Sequence, residues 1–376
     1  MSADTIDVHG ECADGFEAVR EAFARVFPDG GEVGAALAVS VDGRMAVDLW
    51  AGHADEALTR PWRRDTIVNL YSVGKAITAI CAHRLAERGE LDLDAPVARY
   101  WPEFAQGGKA ELPVRYLLTH QAGLPGLTDP LPPRSIIDWD AVCTALATQQ
   151  PLWTPGTRHG YHTNTQGFLV GEVVRRVDGR SLGTFFREEI GEPAGIDFYI
   201  GLAEEHEPRV AEMVTPAQRP PDPGQTAPTR QQASYPALDV DRNSRAWRAA
   251  EVPSTNGHGD ARALARLFGA LATDGRVDGV QILAPETIEG AIREQVYGED
   301  AVLGRVTRFG TGFQLTMEER PLGPNPRTWG HFGFGGSLGF ADPDARLGLG
   351  YVMNRGRSGW QHRHVRRLID LVYEAL

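Results

Sequence analysis

A serine and a lysine three positions apart, in Ser72-Val73-Gly74-Lys75, are the residues of this chain best suited to covalent chemistry. An apolar helical run follows over 76–85, and on a helix the side chains at positions i and i+3 share a face. A serine hydroxyl attacks well when a neighbouring base takes its proton, and burial can lower the pKa of a lysine enough to make it that base. The spacing predicts nucleophilic catalysis by Ser72 with Lys75 as proton acceptor.

Lysine is rare in this chain, which makes its position informative. Of the 38 basic residues only Lys75 and Lys109 are lysine, and the others are arginine. Because arginine stays protonated, it cannot accept a proton from serine. The alternative interpretation is a helix-capping serine beside a solvated lysine. The retained lysine favours the chemical role.

Two further segments could complete such a site. Tyr161 opens Tyr161-His162-Thr163, directly before a helical pattern, and its phenol could relay a proton. A tyrosine at such a junction often only packs and forms a hydrogen bond, so this signal is weak alone. The second segment, 329–339, is rich in glycine, which lets a backbone approach a ligand closely.

Ser337 offers a rival nucleophile, because Gly335-Gly336-Ser337-Leu338-Gly339 matches the G-x-S-x-G elbow pattern. An elbow needs a helix after the serine, then an acid and a histidine downstream. Here a strand-like segment and a turn follow, and the downstream histidines, His362 and His364, leave no space for the second half of such a fold. We therefore expect Ser72, not Ser337, to be the nucleophile.

Composition excludes several classes of function. The chain has 376 residues, a net charge of −12 and an isoelectric point near 5.4, so nucleic acid or an anionic bilayer would be repelled. No apolar run approaches the roughly 20 residues that span a bilayer, and no export signal, CxxC pair, zinc-type motif or P-loop occurs. We expect a cytoplasmic protein with no metal, cofactor, nucleic-acid partner or membrane partner. The sequence does not predict its oligomeric state.

Hydrophobic patterning predicts a sheet built from both ends of the chain. An amphipathic N-terminal helix precedes a β-hairpin over 35–41 and 45–49 that flanks Val41-Asp42-Gly43-Arg44. Near the other end we expect strands at 311–317, 336–341 and 347–353 and a last helix over 361–376. Helical patterns fill the middle, at 72–88, 114–118, 139–148, 167–177 and 182–190.

This pattern predicts two structural units. Residues 1–95 and 250–376 would form one discontinuous α/β domain, into which a helical domain of residues 96–249 is inserted. A proline-rich loop over 215–253 lies at the end of the insertion. Loops of that length are usually functional or disordered.

Three ordered motifs, Ser72-x-x-Lys75, Tyr161 and His331-Phe332-Gly333, together resemble those of the serine β-lactamase and penicillin-binding-protein superfamily. The closest likeness is to class C β-lactamases and family VIII carboxylesterases. Residues 117–124, Leu-Leu-Thr-His-Gln-Ala-Gly-Leu, are similar to that family's LLTHxxGL segment. The resemblance implies a β-lactamase-like α/β (α+β) fold, in which an antiparallel sheet flanked by helices carries an all-helical insertion and the active site lies in the cleft between them.

The resemblance also implies roles for individual residues. Ser72 would be the acylated nucleophile, and Lys75 and Tyr161 would share the general-base and general-acid work, with the first proton acceptor left open. The backbone N–H groups of Ser72 and Phe334 would form the oxyanion hole. Substrate contacts are expected from the family's Lys-Thr-Gly position and from residues beside the motifs, which here are His162, Asn164, Trp329, His331, Phe332 and Gly333.

Departures from the family pattern bear on the substrate. The usual Tyr-x-Asn is altered, because Asn164 comes one position late. His331 replaces a lysine that would hold a β-lactam carboxylate, and histidine is mostly uncharged at neutral pH, so carboxylate recognition should be weaker. These departures favour a carboxylesterase acting on small or medium acyl esters. The alternatives are a transacylase that passes the acyl group to an amine or alcohol, a β-lactamase or D-aminopeptidase-like amidase, and a catalytically silent binding protein.

Overall fold

The computed structural model of the chain describes residues 6–28, 31–214, 239–357 and 363–376. Those residues form fourteen β-strands and eleven α-helices. The strands are β1 (Val8–Cys12), β2 (Gly34–Val41), β3 (Arg44–Gly52), β4 (Val68–Asn69), β5 (Phe198–Tyr199), β6 (His258–Gly259), β7 (Arg276–Val277), β8 (Val280–Gln281), β9 (Val296–Glu299), β10 (Val306–Phe309), β11 (Gln314–Leu315), β12 (Trp329–Phe332), β13 (Leu338–Asp342) and β14 (Leu347–Met353). The helices are α1 (Glu17–Ala24), α2 (Gly74–Glu87), α3 (Arg115–Leu118), α4 (Trp139–Thr148), α5 (Thr165–Asp178), α6 (Leu182–Phe186), α7 (Glu192–Ala194), α8 (Arg245–Ala249), α9 (Ala261–Leu271), α10 (Pro285–Ala291) and α11 (Arg363–Glu374).

Nine strands form one antiparallel sheet, in the order β1-β3-β2-β14-β13-β12-β11-β10-β9. Its centre joins the two ends of the chain, because β2 pairs with β14 in a continuous register from Val41 opposite Leu347 to Ala35 opposite Met353. A smaller sheet has the order β4-β6-β5. The predicted fold class, an antiparallel sheet with flanking helices, is confirmed.

The turn between β2 and β3 follows from its sequence. Val41 pairs with Arg44, which leaves Asp42 and Gly43 as a two-residue connection. Their φ angles are +50° and +75°, the left-handed conformations that a type I′ turn requires and that Asp-Gly adopts readily. The predicted hairpin is confirmed.

Helices cover both faces of the large sheet. Leu37 and Val39 of β2 pack with α1 and α11 on one face, whereas the alternating Ala36 and Ala38 lie in the core that includes α9. Small residues let α9 approach closely: a Cβ at Gly348 would lie 2.0 Å from a backbone nitrogen of α9. The alternation of large and small residues thus separates a thick core from a close helix contact.

α2 lies in the larger core, and Lys75 is in its first turn. Nearly every residue from Gly74 to Leu85 is buried, as expected of a helix that is apolar around its whole circumference. It packs against α5 and α6. The amine of Lys75 is therefore enclosed by protein.

Several predicted elements differ from the structure at their ends. The helix expected over 72–88 begins as a 3₁₀ turn, Tyr71–Val73, and continues as α2. The strand expected over 311–317 is too long, because Gly312 has a φ of +91° and only β11 remains extended. The strand expected from 336 begins at Leu338, after a 3₁₀ turn over Phe334–Gly336.

Two predictions fall partly outside the described residues. Of the proline-rich segment 215–253, residues 215–238 lie outside them, and the remainder contains α8. The predicted start of the last helix, at 361, also lies outside them, and the described part begins at Arg363. In the described part of the chain no helix has the length and apolar character needed to cross a bilayer.

Candidate active site

Ser72 lies in the 3₁₀ turn between β4 and α2. The preceding residue, Tyr71, has a φ of +48°, an uncommon conformation for a residue with a side chain. Gly74, two residues after Ser72, leaves no room for a side chain, because a Cβ there would lie 2.1 Å from the carbonyl oxygen of Pro253. The turn that presents the Ser72 hydroxyl is therefore packed closely against the backbone of Pro253.

Lys75 is 1% exposed, and its amine has three oxygen partners. The nitrogen Nζ lies 3.2 Å from Oγ of Ser72, 2.7 Å from the carbonyl oxygen of Thr163 and 3.2 Å from that of Ser254. Burial lowers the pKa of Lys75 well below its ordinary value, since all three partners are neutral. Burial therefore favours the uncharged form of the amine.

An uncharged Lys75 can distribute its hydrogen bonds among its three partners in only one way. A neutral amine has two N–H donors and one lone pair, and a carbonyl oxygen can only accept. The carbonyls of Thr163 and Ser254 therefore take both N–H groups. The lone pair then faces the Ser72 hydroxyl, which donates to it. This arrangement can remove the hydroxyl proton of Ser72.

Tyr161 stands over the same amine. Its ring centroid lies 4.7 Å from Nζ of Lys75. Burial raises the pKa of Tyr161, and an interaction with the Ser72 hydroxyl offsets part of that rise. The phenol is therefore protonated at neutral pH and suited to donate a proton rather than to accept one.

Asp300, which the sequence did not indicate, holds Tyr161 in place. It is fully buried, and one of its oxygens accepts a hydrogen bond of 3.0 Å from the backbone N–H of Tyr161. The same oxygen accepts from the N–H groups of Val302 and Leu303. No local motif marks Asp300, because its partner is distant in sequence.

His162 is buried and does not reach the site cavity. Its Nε2 accepts a hydrogen bond of 3.0 Å from the backbone N–H of Leu124, and its Nδ1 donates to the carbonyl of Gly160 at 2.6 Å. Burial lowers the pKa of His162 to about 3. The ring is a neutral link between the segment 117–124 and the Tyr161 junction.

His331 lies on the other side of the site, at the end of β12. Its ring centroid is 6.1 Å from that of Tyr161. Nδ1 lies 2.7 Å from the carbonyl oxygen of Phe332 and must carry the proton, so Nε2 is an acceptor. Nε2 is buried and has no hydrogen-bond partner in the described part of the chain. Burial lowers the pKa of His331 to about 3, so this position carries no cation.

Gly333 and Phe334 complete the wall next to Ser72. A Cβ at Gly333 would lie 2.0 Å from Oγ of Ser337 and 2.3 Å from the carbonyl oxygen of Leu70. This contact brings the end of β12 against the turn that carries Ser72. The Phe334 side chain is 59% exposed and meets Tyr71 edge-on, with centroids 5.4 Å apart.

A cavity of about 440 Å³ lies between these elements. Of the predicted site residues, six line it: Ser72, Tyr161, His331, Phe332, Gly333 and Phe334. The lining also includes Thr163, Leu303, Arg305, Thr307, Phe309, Gln314 and Arg320. A larger cavity, of about 560 Å³, lies elsewhere, along α6 and β5, and contains none of the predicted residues.

Asn164 and Trp329 are brought near the site but not into the cavity. Oδ1 of Asn164 accepts a hydrogen bond of 3.2 Å from the Thr255 hydroxyl, and the residue is buried. Trp329 is also buried and packs edge-on against Phe268 and Phe313. Both side chains support the walls.

Ser337 is fully buried and already bonded. Its hydroxyl donates to the carbonyl of Leu70 at 3.0 Å. β13 follows it, not the helix that a nucleophile elbow needs. Ser337 thus ties the glycine-rich segment to the Ser72 turn.

Comparisons with known proteins relate the chain to one family. The sequence profile of the family described as Beta-lactamase matches residues 18–374. The chain is 36% identical over 361 residues to the esterase/beta-lactamase LipL of Mycobacterium tuberculosis, covering 93% of this chain and 83% of that protein.

Two solved structures are similar over nearly their whole length. A penicillin-binding protein homolog from Caulobacter crescentus has a TM-score of 0.92 and 41% identity, covering 98% of this chain and 100% of that one. A family VIII carboxylesterase has a TM-score of 0.91 and 42% identity, covering 99% and 100%.

Proposed function

The chain belongs to the β-lactamase family, and we propose that it is a carboxylesterase that forms an acyl-enzyme on Ser72. The observation that carries this proposal is the hydrogen-bond set of Lys75. Two backbone carbonyls take its N–H groups, so its lone pair is left for the Ser72 hydroxyl. A serine with a pre-oriented base beside it is an activated nucleophile.

In the acylation step, Ser72 attacks the ester carbonyl carbon while Lys75 takes the hydroxyl proton. A bond forms between Oγ and the carbonyl carbon, and the carbonyl oxygen becomes an oxyanion that the backbone N–H groups of Ser72 and Phe334 would stabilise. The bond to the alcohol oxygen then breaks. The leaving oxygen receives a proton from Tyr161, which regains one from the protonated Lys75.

Deacylation repeats the same steps with water as the nucleophile. The water gives its proton, directly or through Tyr161, to Lys75, and its oxygen forms a bond to the acyl carbon. The bond to Oγ of Ser72 breaks, and the proton on Lys75 returns to Ser72. The products are a carboxylic acid and the free enzyme, and no co-reactant is needed.

The neutral state of His331 supports an ester substrate over a β-lactam. The resemblance places His331 where related β-lactamases have a lysine, and the ring of His331 is a hydrogen-bond acceptor with no charge. A β-lactam carboxylate would find no cation there. The similar proteins include an esterase/beta-lactamase and a family VIII carboxylesterase, so activity on both substrates must be measured.

The first test compares hydrolysis of p-nitrophenyl butyrate by the wild type, Ser72→Ala and Ser337→Ala. We expect Ser72→Ala to lose at least about 10³-fold in kcat, whereas Ser337→Ala keeps measurable turnover. A phosphonate probe should label the wild type on Ser72, as located by peptide mass spectrometry. Loss confined to Ser337→Ala, or label on another serine, would overturn the proposal.

The same assay separates the alternatives. Added primary alcohol or amine should leave the acid as the main product if the enzyme is an esterase, whereas a transacylase would form a new ester or amide in its place. A chromogenic cephalosporin should be cleaved far more slowly than the simple ester. Comparable rates on both would favour the amidase alternative.

A further inference from the structure

The cavity beside Ser72 contains a polar side chain that the proposed ester mechanism does not use. Gln314, in β11, lines this cavity and is 6% exposed. Its side-chain amide forms no hydrogen bond with any residue that the structure describes. Buried polar groups in proteins are nearly always paired, so an amide held in this wall without an internal partner is available to a ligand.

The polar atoms of this amide remain accessible. Within the described part of the chain, the unpaired side-chain atoms that are sealed from solvent include Nε2 of His331 but neither polar atom of Gln314. The Thr307 hydroxyl, on the same cavity wall, already bonds with His159 and Asp300. Gln314 is therefore better placed than His331 or Thr307 to form a new hydrogen bond with a substrate.

The chemistry of the Gln314 amide indicates the kind of group that it binds. A primary amide presents N–H donors beside a carbonyl acceptor. A ligand pairs with both at once only if it also has a donor beside an acceptor, as another amide does. A carboxylate has no donor and an ammonium group has no acceptor, so either would use only half of the Gln314 amide. The favoured ligand group is a neutral carboxamide.

The position of Gln314 in the sheet indicates which half of the substrate carries that group. Gln314 pairs with Phe309 across β11 and β10, and Phe309 stacks with Tyr161 at a centroid distance of 6.1 Å. All three residues line the cavity. In the mechanism above, Tyr161 delivers a proton to the leaving oxygen, so this wall faces the alcohol half of the ester.

We propose that Gln314 is a specificity-determining residue and that this enzyme prefers esters whose alcohol half carries a neutral carboxamide. The substrate amide accepts a hydrogen bond from the NH₂ group of Gln314 and donates one to its carbonyl oxygen. The inference rests on the proposed esterase function and names its substrate class.

The test uses two acetate esters of nearly the same shape, para-acetoxybenzamide and para-acetoxyacetophenone, of which only the first has an N–H donor. We measure kcat/KM for each and divide by the rate constant of its hydroxide-catalysed hydrolysis, which corrects for leaving-group reactivity. The wild type should favour the amide by roughly tenfold. The preference should not change with salt concentration, since neither partner is charged. In Gln314→Leu the ratio should fall to about one.

A matched control removes a glutamine elsewhere. Gln150 is exposed and does not line the cavity, so Gln150→Leu should keep the wild-type ratio. Because Gln314→Leu could fold poorly, a second measurement uses the wild type alone. The alcohol products should inhibit hydrolysis of p-nitrophenyl butyrate competitively, and the inhibition constant of para-hydroxybenzamide should be about tenfold below that of para-hydroxyacetophenone. Equal inhibition constants would contradict the inference.

The outcomes separate the two proposals. If the wild type does not hydrolyse p-nitrophenyl butyrate or either acetate ester, the proposed function fails. If it hydrolyses both acetate esters at equal corrected rates, or if Gln314→Leu keeps the preference, the carboxamide inference fails and the esterase function stands. A third pair, the p-nitrophenyl esters of glutaric monoamide and 5-oxohexanoic acid, carries the same difference in the acyl half. An amide advantage in that pair alone would overturn the placement.

Discussion

The backbone N–H of Tyr161 donates a 3.0 Å hydrogen bond to the carboxylate of Asp300, 139 residues further along the chain. The carboxylate also accepts from the backbone of Val302 and Leu303 and from the Thr307 hydroxyl. One buried side chain thus fixes the backbone that carries the phenol and the loop between β9 and β10. The proposed proton donor, Tyr161, is therefore positioned by a residue that does not line the cavity.

Asp300→Asn should weaken both catalysis and stability. An amide has one accepting oxygen and no charge, so it cannot hold the same set of donors as strongly. We expect kcat for p-nitrophenyl butyrate to fall roughly tenfold and the free energy of unfolding to fall by about 2 kcal/mol. Denaturant unfolding and steady-state kinetics measure the two effects. The exposed Asp129 provides a control, because Asp129→Asn removes the same charge outside the site. Unchanged kcat in Asp300→Asn would refute this positioning role.

The pH dependence of kcat/KM should report the protonation of Lys75. In the proposed mechanism the uncharged amine of Lys75 takes the proton of Ser72, so activity should rise as pH increases through the pKa of Lys75 and stay level above it. Because burial holds that pKa well below its ordinary value, the plateau should begin well below the usual lysine value of about 10.4.

Lys75→Arg separates the base from the charge. Arginine keeps a cation at this position but cannot lose its proton, so kcat should fall by about 10³-fold. Arg44→Lys, the reverse exchange at an exposed position, should leave the pH profile as in the wild type. A Lys75→Arg enzyme that retained both rate and profile would show that another group accepts the proton of Ser72.

The predicted site residues whose proximity follows from the sequence are those whose relation is local. Ser72 and Lys75 are three positions apart at the start of one helix, so their proximity follows from helix geometry. The end of β12 was located by its glycines, and Gly333 does approach the Ser72 turn closely. These features need no knowledge of the rest of the fold.

Adjacency to a motif was a poorer guide. His162 follows Tyr161 directly, but its ring is held by the backbone of Leu124 and Gly160, away from the cavity. Trp329, the first residue of the strand that carries His331, packs in the core and does not line the cavity.

The residues that the sequence missed reach the site through tertiary structure. Asp300, Arg305 and Phe309 belong to the β9–β10 hairpin and its loop, and no hairpin was predicted there. Their distances along the chain from Ser72 and Tyr161 do not predict that they lie near the site. They lie there because β10 and β12 belong to the same nine-stranded sheet.

Gly333→Ala should damage the site through the backbone. Its Cβ would lie 2.3 Å from the carbonyl oxygen of Leu70 and 2.0 Å from Oγ of Ser337, so the segment must move away from the Ser72 turn. We expect a loss of about 2 kcal/mol in the free energy of unfolding and a fall in kcat of roughly 100-fold, because a displacement of about 1 Å is costly to catalysis.

Two variants test the cause of that loss. Gly290 in α10 has open space around it, so Gly290→Ala should be neutral or slightly stabilising in the same assays. Adding Ser337→Ala to Gly333→Ala removes one of the two close contacts and should recover only part of the stability. Full activity in Gly333→Ala alone would show that this contact does not position the backbone proposed to bind the oxyanion.

His162→Leu should reduce stability without changing the chemistry. The substitution leaves the N–H of Leu124 and the carbonyl of Gly160 buried without partners, which costs about 3 kcal/mol in the free energy of unfolding. Because burial lowers the pKa of His162 to about 3, the ring is neutral wherever the enzyme is active, so the pH profile of kcat/KM should be that of the wild type.

His9→Leu, at a half-exposed position, should change neither property. A raised KM with unchanged stability would instead place His162 in contact with substrate, as the sequence alone predicted.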